Sequence, residues 1–502
     1  MSLELPPGRR RFVFAACVAA IFTAAVEGTI VATAMPTIVA DLGGFSMLAW
    51  VFAAYMLTQA VTIPIYGRLA DLYGRKRVLF FGLGIFLIGC VLCGFAPSML
   101  WLVIFRAIQG IGAGAILPVS LTIVGDAYPA LERVKIQPYL AGIFAGSSIV
   151  GPSIGAFIVQ HMSWQLIFWF NIPIGIIAII MLAVYLQEKP RVVKHKIDVL
   201  GAILLMASIT GVLVAMLEAP ELGWWVIALL AASAGVFFLF LRQERQSPEP
   251  LLPSTLWRDR TLFASNVGSF AVGGVIIGVS AFLPTYLQGV MGDSVLKSGI
   301  ALTMMSFAWP LASTIGSRIM IRTTYRTTAV TGGIVLVIGA LSLAVLTETP
   351  FDVRANLFGG WSLTVAAFVV GAGLGFMNSS LHISMQEAAS SHRGIATATV
   401  AFMRTVGGTF GAAILGAALN ISVAMKLPQV HDPVQIIMDP VLREKLPPAE
   451  LTRITEAVGE SLGNVFWITL VIALISAAIV WMVPHVRPGL LAPAQPHRDE
   501  GS

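Results

Sequence analysis

The chain has 502 residues, 57% of them hydrophobic and only 11% charged, with a mean hydropathy of +0.87. Soluble domains carry roughly 25% charged residues, so this chain cannot cover a water-facing surface, and a lipid bilayer is the solvent that fits it. The formal charge of +6 is spread over many short loops, not gathered on one face, which argues against a nucleic-acid partner.

A crossing helix needs roughly 17–25 apolar residues. With Gly, Pro and charged residues as borders, the sequence predicts fourteen spans. The first six lie near 12–34, 47–68, 78–96, 99–125, 137–159 and 166–187. Two more follow near 198–217 and 224–242, and the last six near 262–288, 297–317, 328–347, 361–386, 394–420 and 465–484. The first apolar stretch follows Arg9, Arg10 and Arg11 like a signal peptide. It is too long for an h-region and Glu27 interrupts it, so it reads as a retained span. Cys17, Cys90 and Cys93 fall inside spans and read as packed thiols, because no second Cys or His pair accompanies the C-x-x-C spacing.

Basic residues fix the expected orientation. Arg9–Arg11, Arg75–Arg77, Arg133, Lys135, Lys189, Arg191, Arg242, Arg245, Arg318, Arg322, Arg326 and Arg393 all fall in loops on one side. The positive-inside rule places that side, and both termini, in the cytoplasm of a multi-pass cell (inner) membrane protein. Arg106 and Arg404 stand apart, inside predicted spans. The chain then divides into a six-helix bundle (1–190), two additional spans with a linker (191–260), a second six-helix bundle (261–486) and a cytoplasmic tail (487–502). The second bundle carries an outer loop at about 421–464. Leu451, Ile454, Val458 and Leu462 recur there at helical spacing, as in a short amphipathic helix lying on the outer surface or a poorly ordered loop.

Several positions carry chemistry. Glu27 is the one acid placed deep in a span, where an ionised carboxylate is expensive unless it is protonated, paired or facing a polar cavity. Burial disfavours its charged form and a nearby cation favours it, so a group balanced between the two can load and release a proton. Asp71 and Arg75 lie four residues apart at a span end. Gly142, Gly146, Gly151 and Gly155, with Pro152, make a strip without side chains along one face of the fifth span, suited to close approach by a neighbouring helix. Tyr55, Gln59, Tyr286, Trp309, Asn378 and His382 are candidates to line a substrate cavity, as polar-aromatic residues within spans, although each also reads as a core residue. No cofactor or metal site is implied, and no G-x-x-x-x-G-K-[ST] loop or catalytic cluster points to an ATPase or another enzyme.

The two six-span blocks repeat. Gly67-Arg-Leu-Ala-Asp71-Leu-Tyr-Gly74-Arg75-Lys-Arg77 has a degraded counterpart at Gly316–Arg326, and the fifth-span glycines have one at Gly407, Gly408, Gly411 and Gly416. The Gly67–Arg77 run resembles the loop signature of the major facilitator superfamily. Arg106-Ala-Ile-Gln109-Gly110-Ile-Gly112-Ala-Gly114 resembles its fourth-span motif, and Gly142 to Gly155 the fifth-span motif of its antiporters. Glu27-Gly-Thr29 to Pro36, with Trp164, Phe168 and Asn171, is similar to the fourteen-span drug/proton antiporters, although Glu27 stands where many members have Asp and the second-half loop lacks its acid.

The resemblance implies an all-α major facilitator fold of two six-helix bundles and two extra central helices. It places Arg106 near Glu27 as its counter-ion in proton coupling. It also implies a gate in which Asp71 caps a helix start near Gly394 and Arg75 pairs with Asp126, with Gly67 and Gly74 shaping the loop. The function expected is a monomeric, proton-coupled antiporter that exports small lipophilic, often cationic, drug-like compounds by alternating access. The alternatives are an exporter of an endogenous lipid, siderophore or metabolite, and a membrane sensor without a transport cycle.

Overall fold

The structure is a computed structural model that describes residues 7–42, 47–188, 198–217, 222–247, 250, 255–293, 295–349, 360–389, 393–430, 433–438, 443 and 446–490. Fourteen long helical segments occur among them. The first half holds α1 (Pro7–Leu42), α2 (Leu48–Tyr73), α3 (Arg75–Gly94), α4 (Met99–Ala127), α5 (Ala130–His161) and α6 (Leu166–Tyr185). A hairpin of α7 (Val199–Leu217) and α8 (Trp225–Gln246) follows. The second half holds α9 (Arg260–Val290), α10 (Val295–Arg322), α11 (Tyr325–Glu348), α12 (Ser362–Ala388), α13 (Arg393–Lys426) and α14 (Pro448–Ile479). Eleven of these are long and apolar enough to cross a membrane, and α7 adds the shorter apolar run Leu200–Val212. In hydrocarbon every backbone N–H and C=O must be satisfied within the chain, which long helices achieve and irregular segments do not.

The halves share one packing plan. In the first, α3 packs on α4, α2 on α4 and α1 on α5; in the second, α11 packs on α12, α10 on α12 and α9 on α13. The halves meet chiefly where α2 lies on α13 and α5 on α10. The α7–α8 hairpin covers the first seam, with Ala202, Leu205 and Phe240 packed beside Ile63 of α2 and Ala398 and Phe402 of α13.

Helix starts at the end where α1 begins and α14 finishes, called here the terminal end, are held by side chains from elsewhere. Glu188 accepts from the backbone N–H of Arg75 and Lys76 at the start of α3, both at 2.9 Å. A carboxylate satisfies orphan donors there and complements the helix dipole. The chain after α14 returns across α11, where Val486 and Pro484 accept from the backbone N–H of Tyr325 and Arg326.

The outer loop differs from expectation. α13 continues to Lys426 and α14 begins at Pro448, so the segment read as a surface helix is the first part of α14 itself. Ile454, Val458 and Leu462 are buried in the second-half core, so their apolar stripe is covered by protein. The short helix Pro433–Met438 adds to this cap by packing Ile437 beside Gly289. Of the expected tail, residues 491–502 lie outside the described residues, as does the linker segment 189–197.

Candidate functional site

Three constellations of polar residues lie on or between the halves. The first is enclosed in the first half. Glu27 of α1 is fully buried, and Arg106 of α4 donates from Nη1 to its Oε1 at 2.5 Å. The same Nη1 donates to Gln109 Oε1 at 2.6 Å, and Arg106 Nε donates to the Val51 carbonyl at 3.2 Å. Asn171 of α6 donates to Glu27 Oε2 at 2.5 Å. The guanidinium lies over the Tyr55 ring, 4.1 Å from its centre. Gln109 donates in turn to Cys90 Sγ at 3.1 Å, so the cysteines support this network from α3. Two buried charges are tolerable here because nearly every donor and acceptor has a partner.

The second is a cavity of about 360 Å³ between the halves. Leu117, Leu121, Phe144, Ile276 and Met305 give it an apolar wall, and Trp309, Asn378, His382 and Arg404 give it a polar one. Of the six residues expected to line a substrate cavity, Trp309, Asn378 and His382 do so. Tyr55, Gln59 and Tyr286 are not among the lining residues. Tyr55 is the aromatic face under Arg106, and Tyr286 is buried in the second-half core, where its hydroxyl donates to the Thr347 carbonyl at 2.9 Å. Gln59 is half-buried on α2, with its backbone carbonyl close to Gly114 of α4. The two tyrosines serve packing within a half.

The third is a clasp at the terminal end. Asp71 accepts from the backbone N–H of Gly394 at 3.2 Å and of Ile395 at 2.9 Å, at the start of α13 in the other half. Arg75 reaches Asp71 at 3.2 Å and Asp126 at 3.1 Å, and Arg393 crosses from the second half to Asp126 at 3.0 Å. Gly67 makes the approach possible, since a Cβ there would sit 2.2 Å from the Ala398 Cβ. Gly74 has φ +93°, which favours glycine at the sharp α2–α3 joint, and its Hα faces the Glu188 carboxylate.

The fifth-span strip is only partly a contact surface. A Cβ on Gly151 would lie 2.0 Å from Thr29 Oγ1 of α1, whereas Gly142 and Gly146 have open space in front of them. Gly155 is buried, and the helix runs unbroken through Pro152. Of the matching glycines of α13, a Cβ on Gly407 would meet the Phe270 carbonyl at 1.9 Å and one on Gly411 the Gly274 Cα at 2.6 Å, whereas Gly416 has open space in front of it.

Some participants carry no sequence signal strong enough to single them out. Arg133 is buried and donates to Gln386 Oε1 across the halves at 3.0 Å. Glu387 ends α12 as Asp126 ends α4, yet it accepts from the Tyr325 hydroxyl and from the Gly489 N–H. The second half therefore uses a tyrosine and the returning chain where the first uses Arg75.

The comparisons with known proteins agree with this architecture. The Major Facilitator Superfamily profile matches residues 17–412. The chain is 36% identical over 502 residues to Multidrug resistance protein 3 of Bacillus subtilis (strain 168), covering 95% of this chain and 96% of that protein. It is 34% identical over 425 residues to the Multidrug transporter protein MdtP of the same organism, covering 84% of this chain and 77% of that one. Among solved structures, the proton:xylose symporter XylE bound to 6-bromo-6-deoxy-D-glucose superposes with a TM-score of 0.64 at 12% identity, over 96% and 97% of the two chains. A two-half helical bundle with a cavity at its seam, matched along most of its length by that profile and those relatives, belongs to the major facilitator superfamily, as a transporter related to multidrug resistance and efflux proteins.

Proposed function

We propose that the protein is a proton-coupled antiporter of the fourteen-helix drug-exporter type, moving lipophilic drug-like compounds out across the cell (inner) membrane by alternating access. The observation that carries this reading is the buried Glu27–Arg106 pair. A carboxylate fully withdrawn from water and held by one guanidinium and one amide has a charge state that small changes in packing can tip. Protonating Glu27 removes the charge that pairs with Arg106, and α1, which carries Glu27, also lines the cavity through Ile21.

With the terminal end in the cytoplasm, the clasp of Asp71 on α13 holds the two halves together on the cytoplasmic side. The open space before Gly142 and Gly146 leaves α5 room to move when the clasp releases. The cation preference expected from the sequence rests on aromatic faces together with a carboxylate reaching the substrate. Glu27 is instead engaged inside the first half, and among the described residues no Asp or Glu lines the cavity. Lipophilicity is therefore the property retained for the substrate.

Purified protein in liposomes tests the coupling. Under an imposed pH gradient, wild type accumulates an ethidium-like or neutral lipophilic substrate, whereas Glu27→Gln folds, still exchanges substrate without a gradient, and loses gradient-driven accumulation. Full accumulation by Glu27→Gln would remove the coupling role.

A further inference from the structure

We infer that the cavity between the halves binds lipophilic organic anions, carboxylates above all, with the Arg404 guanidinium as the anion's partner.

The lining residues carry the argument. Among the described residues they include Arg404 but no acid, and the rest is mostly apolar, so this wall offers a fixed positive charge in an apolar surround. Every other buried guanidinium named above has its own partner: Arg106 has Glu27, Arg75 has Asp71 and Asp126, and Arg133 has Gln386. Arg404 is half-buried, and among the described residues no hydrogen bond or ion pair engages its guanidinium. A cation kept in an apolar cavity without a counter-ion is costly, and a ligand anion supplies what the protein omits. The planar fork of arginine matches a carboxylate through two parallel hydrogen bonds.

The guanidinium is also well placed to be selective. Its backbone is held by close helix packing, since a Cβ on Gly273 of α9 would come within 2.0 Å of the Arg404 carbonyl oxygen. His382, the other basic lining residue, is committed elsewhere. Arg133 donates to Gln386 Oε1, which orients the Gln386 amide so that its nitrogen faces His382 Nε2 at 3.1 Å. The imidazole therefore accepts at Nε2 and carries its proton on Nδ1. Trp309 and Phe144 supply flat apolar area for an aromatic body. The ligand class that satisfies both walls is an aromatic or fused-ring acid. This deepens the export reading by naming its substrate class, and it rests on that reading only for transport, since the site itself stands on the cavity.

Three probes with one ring system test it on the full-length protein in lipid nanodiscs: 9-anthracenecarboxylate, neutral 9-anthracenemethanol and 9-anthracenemethylammonium, followed by anthracene fluorescence. Wild type should bind the carboxylate about tenfold or more tighter than the ammonium. Arg404→Met should remove that preference while the alcohol still binds, which also reports that the cavity is intact; Arg404→Lys should fall between. Ser280→Trp, which fills the cavity, should weaken all three and so locate the site. An ammonium bound as tightly as the carboxylate by wild type overturns the proposal even if a variant fails to fold. So does an undiminished preference in Arg404→Met. If the binding order holds but liposomes show no movement of the carboxylate, the export reading fails and the anion site remains.

Discussion

Asp71→Asn is the sharpest perturbation of the clasp, because it keeps the side chain's shape and removes its charge. In the structure the carboxylate accepts from Gly394 and Ile395 at the start of α13 and from Arg75, at 3.2, 2.9 and 3.2 Å. Its side chain is only 9% exposed, so solvent screens these contacts little. Hydrogen bonds to a charged group are worth about 1.5–3 kcal/mol each, and an acid at a helix N-terminus adds roughly 0.3–1 kcal/mol. Asparagine retains one acceptor oxygen for the helix but turns an amide toward Arg75. The net loss is therefore about 2–3 kcal/mol from the state closed at the terminal end. At about 1.4 kcal/mol per tenfold, the equilibrium should move roughly 30- to 150-fold toward opening at that end.

Spin labels at Arg77→Cys and Arg322→Cys, on opposite halves and both exposed, read this directly as an electron–electron distance distribution. The native cysteines are buried, so they compete little for the label. The distribution should broaden or shift to longer distances in Asp71→Asn while the protein stays folded. An identical distribution in both proteins would refute the argument, since a contact that stabilises one state must shift populations when it is lost.

Two further outcomes follow from packing and charge. Gly67→Ala should open the same end without touching any charge, because its Cβ would lie 2.2 Å from the Ala398 Cβ and 2.9 Å from the Gly394 carbonyl oxygen. Overpacking of this kind costs about 1–3 kcal/mol, and the same spin-label pair measures it. Arg106→Leu strands Glu27 and should lower stability by about 3–5 kcal/mol, as breaking a buried pair does. Adding Glu27→Gln should recover much of it, and strictly additive losses in a double-mutant cycle of thermal melts would show that the two are not coupled.

What the sequence made legible followed the cost of charge in lipid. The fourteen spans, Glu27 and the loop from Gly67 to Arg77 all stand out because polar groups in an apolar chain need a reason. The residues that act by juxtaposition did not stand out. Arg133 looks like one more loop cation until α5 brings it to Gln386, and Glu387 looks like a solvated span end until Tyr325 and the returning chain reach it. Tyr55 and Tyr286 misled for the opposite reason: a polar aromatic in a span fits a cavity wall and a helix contact equally, and only three-dimensional packing chooses. The helical spacing in 451–462 was legible, but its covering was not, because an apolar stripe reads the same whether lipid surface or protein buries it.

In the proposed antiport cycle, the placement of Arg106 and Arg404 bears on how proton and substrate communicate. Arg106 is closed within the first half by Glu27, Gln109, Val51 and Tyr55, and neither it nor Glu27 lines the cavity. Direct competition, with the substrate displacing the proton from a shared carboxylate, therefore has no geometric basis in this state. The element common to both is α1: Glu27 sits within it, Ile21 reaches the cavity, and Thr29 contacts Gly151 and donates to the Ser147 carbonyl of α5 at 3.2 Å. In the proposed antiport cycle, coupling would then work through the position of α1 against α4, α5 and α6. Glu27→Gln, in detergent and without a gradient, should accordingly change the affinity for the anthracene carboxylate little, even as gradient-driven accumulation is lost. A competitive scheme predicts instead that proton and ligand displace each other stoichiometrically, and that Glu27→Gln alters ligand affinity strongly. Isothermal titration in buffers of different ionisation enthalpy separates the two, because the heat reports the protons released per ligand bound. A release that persists in full in Glu27→Gln would place the coupling proton on another group.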